Sequence, residues 1–294
     1  EADDFKIKVS GKTNEEIIKY AEENNIVFND FKNVDKNKVL EQLANAIFEL
    51  DKGSMSDVVQ TTLAYHIIIL DEIFPEKEFH NLGYEFLFYR GEKSYNGVAC
   101  ISKVPFDDCG YKNWHDIEDC RHIFVKIKNT TIHNFYVPAG GDIPDTTVNS
   151  KFLHKISFLK EMENWLRDKP SKRNEIILGD LNIAPLPDDV WSHKQLLNVV
   201  SHTPQETDLL LDVLHSGSFE DLIRQFFPIP EKVFSWWSYR SKDWRHSDRG
   251  RRLDHIWATN SISKRVSKVN ILKDARGWDK PSDHVPILAE IELV

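Results

Sequence analysis

Two short segments roughly a hundred residues apart carry groups that could grip a phosphate. Gly179-Asp-Leu-Asn-Ile-Ala-Pro185 follows the apolar run Ile176-Ile-Leu178, and Pro281-Ser-Asp-His-Val-Pro286 lies near the C-terminus. Arg252-Leu-Asp-His-Ile-Trp257 has the same form. Each joins an apolar, strand-like stretch to carboxylate, amide or imidazole groups. Carboxylates are hard oxygen ligands for a divalent cation and imidazole is a general base, so the set points to metal-dependent phosphodiester chemistry.

Elements able to position these groups are legible along the central and C-terminal chain. Residues 83–89, 97–102, 122–127, 131–137 and 175–178 are β-branched or aromatic runs bounded by turn formers, which predicts strands. Between them Phe152, Ile156, Leu159, Met162 and Leu166 recur at three- and four-residue steps, the stripe of an amphipathic helix over 151–167. Further helices are expected over 207–216 and 219–227, the second stopped by Pro228. Mixed strands and helices with reactive groups at strand ends predict an α+β fold, a two-layer β-sandwich flanked by helices.

Composition sets outer bounds. The chain has 294 residues, 40% of them apolar, and a formal net charge of -9, which disfavours bulk polyanion binding but leaves room for a local basic groove. No run of eighteen apolar residues exists, so no membrane span is expected. Three cysteines, Cys100, Cys109 and Cys120, are an odd number without metal-ligand spacing and fit a reducing, intracellular compartment. The sequence opens on Glu1 rather than Met, as a processed product would.

Six segments in order resemble the exonuclease III group of the endonuclease/exonuclease/phosphatase superfamily: Tyr95-Asn-Gly-Val-Ala99, Asn134-Phe-Tyr-Val-Pro-Ala-Gly140, 179–185, Phe234-Ser-Trp-Trp-Ser-Tyr-Arg240, 252–256 and 282–286. The resemblance runs from about Glu72 to Val294. It implies a DNase-I-like single domain over 1–294, acting on DNA at abasic sites and 3′ ends with Mg2+ or Mn2+. Carried over by position, the catalytic residues are Tyr136, Asp180, Asn182, Asp283 and His284. Asp180 would activate water, Asn182 and Tyr136 would contact the phosphate, and His284, oriented by Asp283 or a nearby acid, would act as base or stabilise the transferring group. Asp254 and Asp283 would hold the cation. Trp236, Trp237, Arg240 and Arg245 belong to a segment where tryptophans alternate with Lys242, Arg249, Arg251 and Arg252, the mixture expected of a nucleic-acid contact.

The N-terminal third departs from the family pattern, which opens on a strand ending Thr-Trp-Asn and a second ending Gln-Glu, neither present here. The nearest counterparts are Phe5–Gly11 as first strand, a helix over 13–24 with Thr13 and Glu16 as a capping box, and Ile26–Asp30 as second strand. Gly11 then replaces the amide and Asp30 the metal ligand. A second alignment sets 66–70 on the second strand and makes Asp71 or Glu72 the ligand. Residues 32–70 read as a helical insertion, with an amphipathic helix over 39–50 and an apolar stretch over 58–70. Two readings follow: an active nuclease, or a catalytically silent homologue, with no cofactor, serving as a structural subunit that meets protein or RNA of a larger assembly through the insertion. The alphaproteobacterial flavour of residues 134–142 fits a mitochondrion or a bacterial cytoplasm.

Overall fold

The computed structural model describes residues 2–31, 34, 39–50, 53–70, 76–92, 96–170, 172–241 and 243–293, which form two compact units, 1–78 and 79–294. Asp71, Glu72, Tyr95, Lys242 and part of the 32–70 insertion lie outside the described residues.

In the first unit, α1 (Ala2–Val9), α2 (Asn14–Glu23) and α3 (Glu41–Glu49) precede a short antiparallel hairpin of β1 (Val59–Gln60) and β2 (Tyr65–His66). The capping box forms as its spacing predicts, with Thr13 accepting from the Glu16 N–H and Glu16 returning to the Thr13 N–H. Two expected strands do not form. Phe5–Gly11 falls mostly within helix α1, where Asp3 and Asp4 occupy the first turn and Lys6 and Lys8 the last, the arrangement a helix dipole favours. The i, i+4 pair Phe5 and Val9 faces inward, Val9 fully buried and the Phe5 ring tilted against Tyr20 with centroids 5.7 Å apart, while Ile7 is 74% exposed. Gly11 therefore follows a helix instead of ending a strand. Residues 26–30 are irregular, and Val27 is 84% exposed; no described strand pairs with them. Of the 58–70 stretch, the hairpin continues through a Met55–Ile69 bridge and a Gly53 N–H to Leu70 O bond, so it is β rather than helical.

The second unit starts within α4 (Glu76–Asn81) and pairs β3 (Phe86–Gly91) with β4 (Gly97–Ser102). β5 (Asp108–Gly110), β6 (His122–Ile127), β7 (Thr130–Tyr136), β8 (Glu175–Asp180), β9 (Phe219–Asp221) and β10 (Asp254–Thr259) form one six-stranded sheet in the order β5-β6-β7-β8-β10-β9. Among the described strands only β7 and β8 run parallel, because α5 (Ser150–Arg167) carries the chain back between them. α6 (His193–Leu196), α7 (Pro204–Ser216) and α8 (Leu222–Phe226) follow β8, and β11 (Val266–Ile271) pairs with β12 (Ile287–Ile291). The predicted helix over 219–227 is split: Phe219–Asp221 pairs with β10, and the Asp221 carboxylate then caps α8.

Strand alternation sorts the core into two layers. Ile177, Phe135 and Trp257 face Phe158, Leu159, Met162 and Leu166 of α5 and Leu210 and Val213 of α7. Ile176, Ile256 and Ala258 face the other way, toward Val269, Ile287 and Ile291 of the β11–β12 hairpin. The five stripe residues of α5 are all buried. Leu159→Ala removes a fully buried side chain and is expected to cost about 2–5 kcal/mol, read as a lower urea midpoint at unchanged slope.

Candidate functional site

The register of the large sheet brings the predicted residues to one edge. β8 and β10 are antiparallel with Asp180 opposite Asp254, and the parallel pairing of β7 places Tyr136 beside Asp180. Gly179 makes this approach possible. Its φ is +129°, and a Cβ there would stand 2.0 Å from the Phe135 carbonyl oxygen, so a side chain would force β8 off β7. Beyond β8, Asn182 adopts the left-handed region at φ 55°. Its backbone N–H donates to Asp180 Oδ1 at 2.9 Å and its amide donates to Asp180 Oδ2 at 3.0 Å and to Val137 O at 2.9 Å.

His284 closes the group from a different part of the chain. Trp236 forms β-bridges with both His284 and Arg251, which ties the C-terminal segment to the approach of β10. Ser235 supports the same junction: its hydroxyl accepts the backbone N–H groups of Leu253 and Asp254, each at 3.0 Å. The His284 Nδ1 lies 2.8 Å from Asp254 Oδ2, and its Nε2 lies 3.9 Å from Asp180 Oδ2. Ligand atoms of Asp180, Asp254 and His284 all fall within 4.8 Å of one another, and their side chains remain 18–29% exposed. Two carboxylates at that separation can hold a divalent cation through their oxygens, with the imidazole beside them.

The electrostatics follow from crowding. Burial, then the neighbouring Asp254 charge, pushes Asp180 up to about 7, against the pull of His284. Burial alone would lower His284. Its hydrogen bond to Asp254 and the charges of Asp254, Asp180 and Asp283 prevail and hold it at about 9, so the imidazole is a cation at neutral pH.

The remaining predicted residues separate by position. Asp283 does not join the three-residue cluster; its Oδ2 accepts the Trp236 indole N–H at 2.9 Å, and the acid that orients His284 is Asp254. Tyr136 is half-buried, with the Arg121 guanidinium 4.9 Å from its ring and bonded to its carbonyl. Trp237 is 1% exposed, packed with Phe234, Ala275 and Val285, and donates to Asp248; it anchors the loop and offers no face to a ligand. Arg240 and Arg245 are exposed, the latter paired with Asp274 at 3.2 Å. Asp30 sits in the first unit on exposed, irregular chain.

Several supporting residues escaped the sequence reading. Lys155, on the buried stripe of α5, pairs with Glu206 at 2.6 Å and donates to the carbonyls of Asn182 and Ala139, which fixes the turn after β8. A lysine within an apolar helical stripe was the available signal. Arg252, expected above in a nucleic-acid contact, is instead fully buried between Asp189 and Asp221 and holds the entry to β10. Arg121 joins Asp119 and Asn96 in a buried network under Tyr136.

Known proteins resemble this chain in sequence and in fold. The sequence profile of the Endonuclease/Exonuclease/phosphatase family matches residues 33–284. Exodeoxyribonuclease III of Haemophilus influenzae is 32% identical over 239 residues, 77% of this chain and 87% of that protein. An exodeoxyribonuclease of Bacillus subtilis is 27% identical over 68% of this chain and 75% of its own length. Among solved structures, an AP endonuclease from Archaeoglobus fulgidus superposes with a TM-score of 0.68 at 29% identity, covering 75% of this chain and 84% of the other. Among the described residues no helix is long and apolar enough to cross a membrane.

Both shifted groups bind a proton more tightly folded than unfolded. Asp180 contributes stability that is full below 3.8 and lost as pH rises through about 7; His284 contributes stability that is full below 6.5 and lost through about 9. In chelator, Asp180→Asn is therefore expected to flatten the decline between pH 4 and 7. Urea midpoints of parent and variant across pH 4–9 measure the difference, and parallel curves would contradict the assignment.

Proposed function

The chain belongs to the Endonuclease/Exonuclease/phosphatase family, and from that premise we propose that it is a DNA nuclease of the exonuclease III type, hydrolysing a phosphodiester beside abasic sites and at 3′ ends. The observation that carries the reading is the meeting of Asp180, Asp254 and His284, with Asn182 bonded to Asp180, at one sheet edge. The donor set fits a hard divalent cation such as Mg2+ or Mn2+, since no lysine or arginine among the described residues pairs with either carboxylate. Asp254 and Asp180 would hold it, and when bound it would neutralise charge on the phosphate.

The residues divide the chemistry by their protonation. Asp180, ionised beside the cation, would take the proton of the attacking water. His284, fixed through Nδ1 to Asp254, presents a protonated Nε2 to the phosphate oxygens and stabilises the negative charge that develops there. Asn182 keeps the Asp180 carboxylate aligned through two hydrogen bonds, and Tyr136 stands beside it on β7.

On a duplex bearing an abasic analogue with Mg2+, the parent is expected to cut at least about a hundredfold faster than an Asp180→Ala, His284→Ala double variant. Equal rates would end the nuclease reading.

A further inference from the structure

Arginines buried in the second unit are mostly matched to carboxylates. Arg252 meets Asp189 and Asp221, Arg224 meets Asp189, Arg121 meets Asp119 and Arg173 meets Glu175. Arg276 is 5% exposed and enclosed by the rings of Tyr239 and Trp244, closed to any ligand. Arg251 differs. It is half-buried, no described carboxylate comes within 4 Å of it, its electrostatic neighbour Glu206 is ion-paired with Lys155, and its Nε is buried without a hydrogen-bond partner. Its side-chain bonds to described residues leave from Nη1 alone, to Val200 O at 3.1 Å and Ser201 Oγ at 2.7 Å.

The location gives this unmatched charge a use. The Arg251 guanidinium lies 5.3 Å from the centroid of the Trp236 ring, and the same indole donates to Asp283 and is bridged to His284. One aromatic ring thus separates the cation from the catalytic segment. Along the chain Arg251 precedes Asp254 by three residues, on the order of 10 Å. Guanidinium remains charged at any working pH, its fork matches phosphate oxygens, and a partly desolvated cation gains most from an anion that arrives with a ligand.

We propose that Arg251, seated on Trp236, is a phosphate receptor that engages a non-scissile phosphodiester of the cleaved strand, within about two nucleotides of the scissile bond, and thereby sets substrate register. The proposal rests on the nuclease reading for its substrate. Arg251 is in this sense a specificity-determining residue and takes no part in bond breaking. A purely structural arginine would instead only strut the Val200–Ser201 turn.

A thermodynamic cycle distinguishes these roles. Abasic-analogue duplexes, each with one flanking phosphate replaced by an uncharged methylphosphonate, are cut by the parent, Arg251→Met, Arg251→Lys and Arg245→Met proteins. One position is expected where neutralisation lowers kcat/KM of the parent by about tenfold to a hundredfold. At that position Arg251→Met should lose nothing further, Arg251→Lys should keep part of the sensitivity, and Arg245→Met all of it. Sensitivity in Arg251→Met equal to the parent's at every position would overturn the proposal, as would a uniform slowing on all substrates. The same duplexes titrated calorimetrically against Asp180→Ala, with and without Arg251→Met, give the cycle without turnover. Loss of the differential there sinks the Arg251 assignment alone; a retained differential with an inactive parent sinks the nuclease reading alone.

Discussion

Two carboxylates held face to face across an antiparallel strand pair are the constraint around which the second unit is arranged. Asp180 and Asp254 are register partners, so their separation is set by backbone hydrogen bonds rather than by flexible side chains. Burial, and then the repulsion within the pair, raises the proton affinity of Asp180. His284 offsets part of it by lending a cation that hydrogen-bonds to one acid and faces the other. The arrangement remains short of positive charge, a deficit of the kind a divalent cation offsets.

Keeping the pair in register requires rigid support from buried polar groups. Arg252, with Asp189 and Asp221, clamps the chain entering β10; Lys155, with Glu206, clamps the turn leaving β8. Each pair is enclosed by the protein, so removing one member strands a charge, at a cost of several kcal/mol. These pairs are better understood as geometry-setting devices than as stability gains. They hold Asn182 in its left-handed conformation and Asp254 at the sheet rim, and such preorganisation lets fixed dipoles act on a phosphate without rearranging.

The central chain was readable because its elements obey simple periodicities. Strands at 97–102 and 122–127 appear with the expected bounds, and the α5 stripe is buried at all five positions. Errors came where pattern and context disagree. Phe5, Ile7 and Val9 alternate like a strand, yet charges at both ends of the segment and packing against Tyr20 favour a helix. Phe219–Asp221 looked helical because it opens an apolar run that Pro228 stops, and it became a strand because β10 offered an edge to pair with. Trp237 looked like a ligand-binding aromatic for want of any sequence sign of burial, which depends on Phe234, Ala275 and Val285 arriving from separate segments.

The sequence alone determined which chemistry is available: acids, amide and imidazole at the ends of apolar runs, in an order shared with one family. It also determined most strands, since alternation and turn residues are local properties. Tertiary structure decided which acid serves which partner. His284 binds Asp254 rather than its own neighbour Asp283, because the Trp236 bridge turns Asp283 toward the indole and His284 toward the sheet edge. It decided too which arginine of a basic stretch is left without a direct ion pair among the described residues, for adjacent Arg251 and Arg252 differ only in what the fold sets against them. Pairings of this kind are made between segments far apart in the chain, and only folding brings their partners within reach.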